Sequence, residues 1–459
     1  MSTETPVVPG GFESADDLRA RGRELAERFP TTAQADDLVA ADRPSVVDYL
    51  RTTHEQRLPE LLGLRVARML ESPYAFLRGS AGLMAADLAG GPTSTLTAQL
   101  CGDAHAGNFG LYGTSDGDVV IDINDFDETV VGPWEWDLRR LATSLVLAGR
   151  ASGVSEDKVY DAAQDAAKQY RRTVRRLAEL PFLRSWTALA DEGALSRTKA
   201  DDLTEDFEKA VDKARRNTSD RVVAKSVEHI DDHETGVRRH RFVDDPPVLF
   251  HLPDRTVEAI ERGVQDYVPT LRESRQPLLA RYRIADAAFR VVGTGSVGMR
   301  SYVVLLHGNS GEDLVLQVKQ AGPSALAPYV DQPPVEHEAR RVVEGARQVQ
   351  ADTDILLGWT SVEGRPFVVR QFRNMKGGLD PTELAGGMLD DYGRLCGALL
   401  ARAHSRSLHP LLLAAYFEGD TDLDEAVGDY AIGYADQTER DHAELKRAVD
   451  SGELPAEID

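Results

Sequence analysis

Two neighbouring segments, Cys101-Gly-Asp-Ala-His-Ala-Gly-Asn-Phe-Gly110 and Val119-Val-Ile-Asp-Ile-Asn-Asp-Phe-Asp-Glu128, concentrate residues able to do chemistry. The first carries a carboxylate (Asp103), an imidazole (His105) and an amide (Asn108). The second carries Asp122, Asp125, Asp127 and Glu128. Val119, Val120 and Ile121 read as a buried strand that ends at Asp122. Oxygen ligands at a strand end, beside a Gly-rich loop, suit a hard divalent cation such as Mg²⁺, with Mn²⁺ as a substitute. Acids gathered around a phosphate-bound metal are the working parts of phosphoryl transfer. Aspartates packed this densely repel one another unless a cation neutralises them, which separates the grouping from an ordinary solvated loop.

A second constellation lies downstream. Gly293-Thr-Gly-Ser-Val-Gly298 is followed by Met299-Arg-Ser-Tyr-Val-Val-Leu-Leu306, a β-branched and aromatic run. A dinucleotide-binding fingerprint would need a helix there. The pattern is instead strand, glycine loop, strand, so Gly293, Gly295, Ser296 and Gly298 are expected to lay bare backbone over phosphates. The next strand ends in Leu316-Gln-Val-Lys319, and a lysine at the end of a buried strand needs an anionic partner. Glu336 and Glu338, on a helix after Pro334, are candidates for that partner, Glu338 the favoured one. Phe367-Val-Val-Arg-Gln-Phe372 then leads into Arg373-Asn-Met-Lys-Gly-Gly378, which reads as a strand entering a hinge; Gln371 and Arg373 would border a nucleotide there.

The elements that must position these groups follow from periodicity. Residues 1 to about 40, rich in Pro, Gly, Asp and Thr, read as a loosely held arm. Helical patterns occupy Pro44 to about Leu88, and Trp136 to roughly Arg216 with breaks. Arg215 to Asp254 is polar and charged, and helices are expected near Arg255 to Tyr267 and Pro277 to Ala288. Three strands, a helix and two more strands occupy about 290 to 372, and helices run from there to the C-terminus. The fold class is α+β, with an arm (1–40), a helical region carrying the acidic loops (41–284), a strand-rich nucleotide-binding region (285–378) and completing helices (379–459).

Bulk properties narrow the function. At 459 residues there is room for two to three domain-sized units. Fifty-three basic against 76 acidic residues give a net charge of −23, which argues against a general nucleic-acid or anionic-membrane binder. An anionic substrate must therefore be received by a locally positive site. Cys101 and Cys396 lie too far apart in sequence to indicate a disulfide framework or zinc spacing. No basic and apolar leader opens the sequence, and no apolar run approaches the roughly 18 residues of a membrane span, so a cytoplasmic location is expected.

Taken together, these segments resemble the protein-kinase-like superfamily, especially its aminoglycoside-phosphotransferase branch. There the catalytic loop reads H-G-D-x-H-x-x-N, the metal strand I-D-F, and a D-L-A follows; here stand Cys101-Gly-Asp-Ala-His-Ala-Gly-Asn108, Ile121-Asp-Ile123 and Asp137-Leu-Arg139, with Cys101 replacing a histidine. The whole chain also resembles an uncharacterised bacterial family, the domain of unknown function 2252, in Tyr74-Ala-Phe-Leu-Arg-Gly79, Gly102-Asp-Ala-His105, Asn124-Asp-Phe-Asp-Glu128 and Tyr434-Ala-Asp-Gln437. The kinase resemblance implies a two-lobed fold binding ATP and Mg²⁺. Asp103 would act on the acceptor hydroxyl, Asn108 and Asp122 (with Asp125) would hold metal, and Lys319 would bind phosphates. His105 would line the acceptor site or serve structure; Asp127 and Glu128, with Asp125, would hold a second metal, recognise a cationic acceptor or bond to loop backbone; Arg78 is a candidate phosphate or acceptor contact, and Asp137 would anchor the loop. The glycine loop begins 185 residues after Asn108 (293 − 108), the reverse of the usual order, which implies a circular permutation. The expected activity is phosphoryl transfer to an unknown hydroxyl. Phosphohydrolysis, AMP transfer and non-catalytic nucleotide binding are the alternatives.

Overall fold

Apolar periodicity switches between 3.6 and 2 along the chain, and the α+β structure switches with it. The computed structural model describes residues 12–36, 39–187, 198, 200–231, 238–246, 248–291, 297–384, 386–420 and 422–456. Helices α1 (Ala15–Arg28), α2 (Val46–His54), α3 (Leu62–Leu70), α4 (Pro73–Gly79) and α5 (Ala81–Ala89) come first. Strands β1 (Thr97–Leu100), β2 (Phe109–Gly113), β3 (Val119–Ile123) and β4 (Val130–Pro133) carry the acidic loops. They pair antiparallel as β1–β4 and β2–β3. Helices α6 (Trp134–Ala151), α7 (Glu156–Glu179), α8 (Thr204–Arg215) and α9 (Ser219–Ser226) follow.

The hairpin β5 (Val227–Asp231) and β6 (Arg238–Phe242), then β7 (Leu249–His251) and α10 (Asp254–Tyr267), lead into the main sheet. Its other strands are β8 (Tyr282–Arg290), β9 (Ser301–Gly308), β10 (Asp313–Gln320), β11 (Gly358–Val362) and β12 (Arg365–Gln371), with α11 (Glu338–Val349) between β10 and β11. The order is β11-β12-β10-β9-β8-β7, antiparallel throughout. Helices α12 (Gly387–His404), α13 (Pro410–Tyr416) and α14 (Leu423–Asp450) complete the chain.

The alternation of β9, β10 and β12 splits their side chains between two layers. Tyr302, Val304, Leu316, Val318, Phe367 and Val369 bury against Ile260, Val264 and Tyr267 of α10. Val303, Leu305 and Val315 face the other way, onto Phe242, Leu249 and the Val222–Val223 pair of α9. Each such side chain contributes about 1.5–3 kcal/mol by leaving water. Because β7 pairs with β8 and α10 covers the sheet, the strand-rich unit reaches back to about 249 instead of starting at 285. Pro277 to Ala288, expected as a helix, is strand from Tyr282 on, with a register shift between Ile284 and Asp286.

The helical unit draws on both sides of that sheet in sequence. Every residue of α6 from Trp134 to Gly149 is buried. The α7 and α12 backbones approach so closely that a methyl on Gly397 would sit 2.2 Å from the Ala166 carbonyl, and one on Gly393 2.8 Å from that of Ala162. The N-terminal stretch is not a loose arm over its described part. Leu18 of α1 is buried, Gly22 lies against the Leu412 carbonyl of α13, and the Tyr416 hydroxyl donates to the Phe29 carbonyl at 2.7 Å. No described helix is long and apolar enough to cross a membrane.

Candidate functional site

The acidic loops are held from behind by α6. In its first turn Asp137 accepts hydrogen bonds from the backbone N–H groups of Cys101 (2.8 Å) and Gly102 (3.1 Å). His404 of α12 bonds the same carboxylate at 3.3 Å and the Tyr170 hydroxyl at 2.9 Å, so it is a packing residue. Gly102 has φ +83°, and a Cβ there would meet the Glu128 carbonyl at 2.1 Å; only glycine lets the two loops close on each other. Asn108 donates its Nδ2–H to the Asp103 carbonyl at 2.6 Å, fixing the turn between them.

Asp103 faces a cleft and accepts from Arg140 Nε at 2.6 Å. Burial outweighs the Arg140 guanidinium and pushes this carboxyl above its ordinary range, making it a stronger base. His105 Nε2 stands 3.7 Å away. Burial, reinforced by Arg78 and Arg140, holds that imidazole well below its usual pKa and therefore neutral.

Asp125 and Asp127 meet Lys319 at the end of β10, with Nζ–O distances of 3.9 and 2.5 Å. Burial opposes ionisation of Asp125, but Lys319, Arg370 and Lys376 together hold it below the usual carboxylate range. Lys319, although buried, is raised by these two acids and stays charged. Glu128 accepts from the Ala325 N–H at 2.5 Å, and burial lifts it to about 7.

Two expected roles shift. Asp122, expected among the metal ligands, lies behind the cleft with no exposed surface. It pairs with Arg402 of α12 and accepts from the backbone N–H groups of Ala351 and Ile123, both at 2.9 Å. Glu338, expected to pair with Lys319, bonds Arg341 at 2.6 Å. Arg341 in turn donates to the carbonyls of Thr129 (2.6 Å), Asp127 (2.9 Å) and Gly322 (3.0 Å), so the glutamate steadies the acidic loop through an arginine. Gln371 is engaged by Asp354, at 2.7 Å through its N–H and 2.8 Å through its amide. Gly293, Gly295 and Ser296 lie outside the described residues. Gly298, at φ +90°, packs against the Arg57 side chain.

Three cavities border these groups. One of about 60 Å³ lies between Asp125, Asp127, Lys319, Arg370 and Lys376 on one wall and apolar Val342, Ala346 and Val368 on the other. A second, about 290 Å³, holds Asp103 and shares Asp125 and Asp127 with the first, and is walled by Arg57, Arg65 and Arg78. The third, about 400 Å³, flanks the segment after β12; Lys213, Arg221, Lys225, Arg290, Arg373 and Lys376 line it. Sequence patterns did not single out Arg140, Arg402, Arg57, Arg65, Arg370 or Lys376. Apart from Arg65, whose partners His54 and Gly79 are 11 and 14 residues away, they meet groups distant in the chain, and only the loop acids that needed balancing signalled that such cations exist.

Away from the cleft, the Asp313 carboxylate is shared by His240 Nδ1 (2.9 Å) and His307 Nδ1 (2.7 Å), donors close enough together to hold a metal. No curated protein and no solved structure matches the chain. The family model described as an uncharacterized protein conserved in bacteria, DUF2252, matches residues 57–448 and so takes in both acidic loops, Lys319 and the segment after β12: the chain belongs to that family.

Proposed function

We propose that the chain is an ATP- and Mg²⁺-dependent phosphotransferase with a kinase-like, two-lobed and circularly permuted fold, acting on a hydroxyl acceptor. One observation carries the reading: Lys319 of the strand-rich unit meets Asp125 and, across 192 residues of chain, Asp127 of the acidic loop. A phosphate-binding lysine facing metal-binding acids is what phosphoryl transfer requires. The connectivity supports the permutation. The loop after α12 reaches β1, where the Gln99 N–H donates to Ser407 Oγ at 2.7 Å, just before the segment carrying Asp103. The hinge after β12 pairs with β2 through Leu111 and Gly377, at 2.9 and 3.1 Å.

In this reading Asp103, with its raised pKa, accepts the acceptor proton while Arg140 holds its orientation. Asn108 and Asp125 would hold Mg²⁺, a set of hard oxygen donors that suits it; Asp122 leaves that role because it is fully buried against Arg402 and lines neither of the first two cavities, whereas Asp125 lines both. The cation would supply charge neutralisation for the phosphates. Lys319 and Arg370 give the local positive field that the acidic chain otherwise lacks, while burial holds Lys376 well below its ordinary pKa. Incubation with Mg²⁺, γ-labelled ATP and a metabolite extract, followed by mass spectrometry, should yield one labelled product. No labelled product, from a protein that Mg-ATP also fails to stabilise against heat, would refute the reading.

A second reading, AMP transfer from a reversed nucleotide, is favoured by the hinge cavity. Five cations, with the buried Lys376 beside them and no carboxylate among the described lining residues, suit a phosphate tail better than a base. Label carried from the α-phosphate instead of the γ-phosphate would select this reading.

A further inference from the structure

We infer that the acceptor carries an anionic group, a carboxylate or a phosphate, held by Arg57, Arg65 and Arg78 while its hydroxyl meets Asp103; this rests on the transferase reading above. The argument is a charge balance around the 290 Å³ cavity. Four acids line its wall against three arginines, and three of the acids already meet a cation from outside that arginine group. Asp103 has Arg140, Asp125 and Asp127 share the single charge of Lys319, and Glu128, which accepts from the Ala325 N–H, is the acid left to face Arg57 and Arg65.

The arginines are not answered in the same way. Arg57 donates to the Val297 carbonyl, and Arg65 to the Gly79 carbonyl at 2.9 Å and beside His54 Nε2 at 3.1 Å. Arg78 stacks 5.9 Å from the Tyr74 ring centroid. Among the described residues none of the three has a carboxylate within ion-pair distance, and the buried Nε of each lacks a hydrogen-bond partner. Arg65 is only 1% exposed. Burial and the neighbouring Arg57 bring it down to about 9, a sign of how poorly the cluster is neutralised.

Buried cations without counter-ions are costly, and a guanidinium fork matches the planar edge of a carboxylate or the face of a phosphate. A ligand spanning the cavity would place an anion on the arginines and a hydroxyl at Asp103. Cationic acceptors would meet three like charges at the same wall.

Direct titration calorimetry on the full chain tests this without any nucleotide, using glycerol 3-phosphate, glycerate and, as the neutral control, glycerol. One or both anions should bind saturably at one site while glycerol does not, and the pair of anions separates phosphate from carboxylate recognition. Arg57→Gln and Arg78→Gln, at half-buried positions, should each weaken binding roughly ten- to hundredfold, the range for a charge-assisted hydrogen bond. Their thermal melts should show that they fold. No anion binding, or binding unchanged in both variants, overturns the inference. So does anion binding that Mg-ADP displaces, which would give the arginines to the nucleotide, or binding lost in Arg221→Gln/Lys225→Gln, which would place it in the hinge cavity. Failure of Mg-ATP binding with anion binding intact would strike the transferase reading alone.

Discussion

Replacing Arg402 tests whether Asp122 is structural. The Asp122 side chain has no exposed surface and that of Arg402 is 5% exposed, so removing one partner leaves an uncompensated charge in the core. Such a break costs about 3–5 kcal/mol. In Arg402→Met the carboxylate keeps the Ala351 and Ile123 N–H groups, each at 2.9 Å, which places this variant near the lower bound. In Asp122→Asn the guanidinium loses its counter-charge while its Nε and Nη1 have no partner among the described residues, so the loss lies nearer the upper bound. The double variant strands no ion, and its cost should fall short of the sum by about 2–3 kcal/mol. Urea unfolding followed by the fluorescence of buried Trp134 and Trp136 reads all four corners of the cycle. If Asp122→Asn unfolds like the wild type yet Mg²⁺ no longer supports nucleotide binding, the assignment fails and Asp122 is a metal ligand after all.

Glu128, lifted to about 7 from 4.5, binds its proton more tightly folded than unfolded. Its contribution to stability is therefore complete below pH 4.5 and lost as pH rises through 7, by roughly 3 kcal/mol at most; Glu128→Gln should flatten that slope in denaturation measured from pH 5 to 8. Asp103→Asn should lower turnover at least about a hundredfold while Mg-ATP still raises the melting temperature; normal turnover would remove Asp103 as the base. Lys319→Met should weaken Mg-ATP binding about tenfold by calorimetry, and unaltered binding would leave the cleft without its phosphate contact. Gly397→Ala puts a methyl 2.2 Å from the Ala166 carbonyl and should cost about 1–3 kcal/mol in urea unfolding.

Period-2 alternation at Ser301 to Leu306 and Leu314 to Lys319, and the 3.6 period before and after, made the α+β alternation legible. The acids of both loops were legible too, because carboxylates so close together demand cations. Which carboxylate faces which cation was not. Asp122 stands within a strand between Ile121 and Ile123, and sequence alone cannot say which face it shows. Its partner Arg402 lies 280 residues on. Glu338 sits at a spacing suited to Lys319, but Arg341, one turn along the same helix, is nearer. The strand from Tyr282 was hidden by Ala285, Ala287 and Ala288, good helix formers that sheet pairing with Ser301 to Gly308 overrides.

The close seam between Glu156–Glu179 and Gly387–His404 has a consequence for biosynthesis. The two helices are separated by more than two hundred residues, so on the ribosome the apolar flank of the earlier one emerges long before its partner exists. The intervening sheet, contiguous from Leu249 to Gln371, has its own apolar layer against Asp254–Tyr267 and is free to close first. Vectorial synthesis thus allows the middle of this protein to close before its beginning, and leaves an apolar helical surface without its partner until the last helices are released.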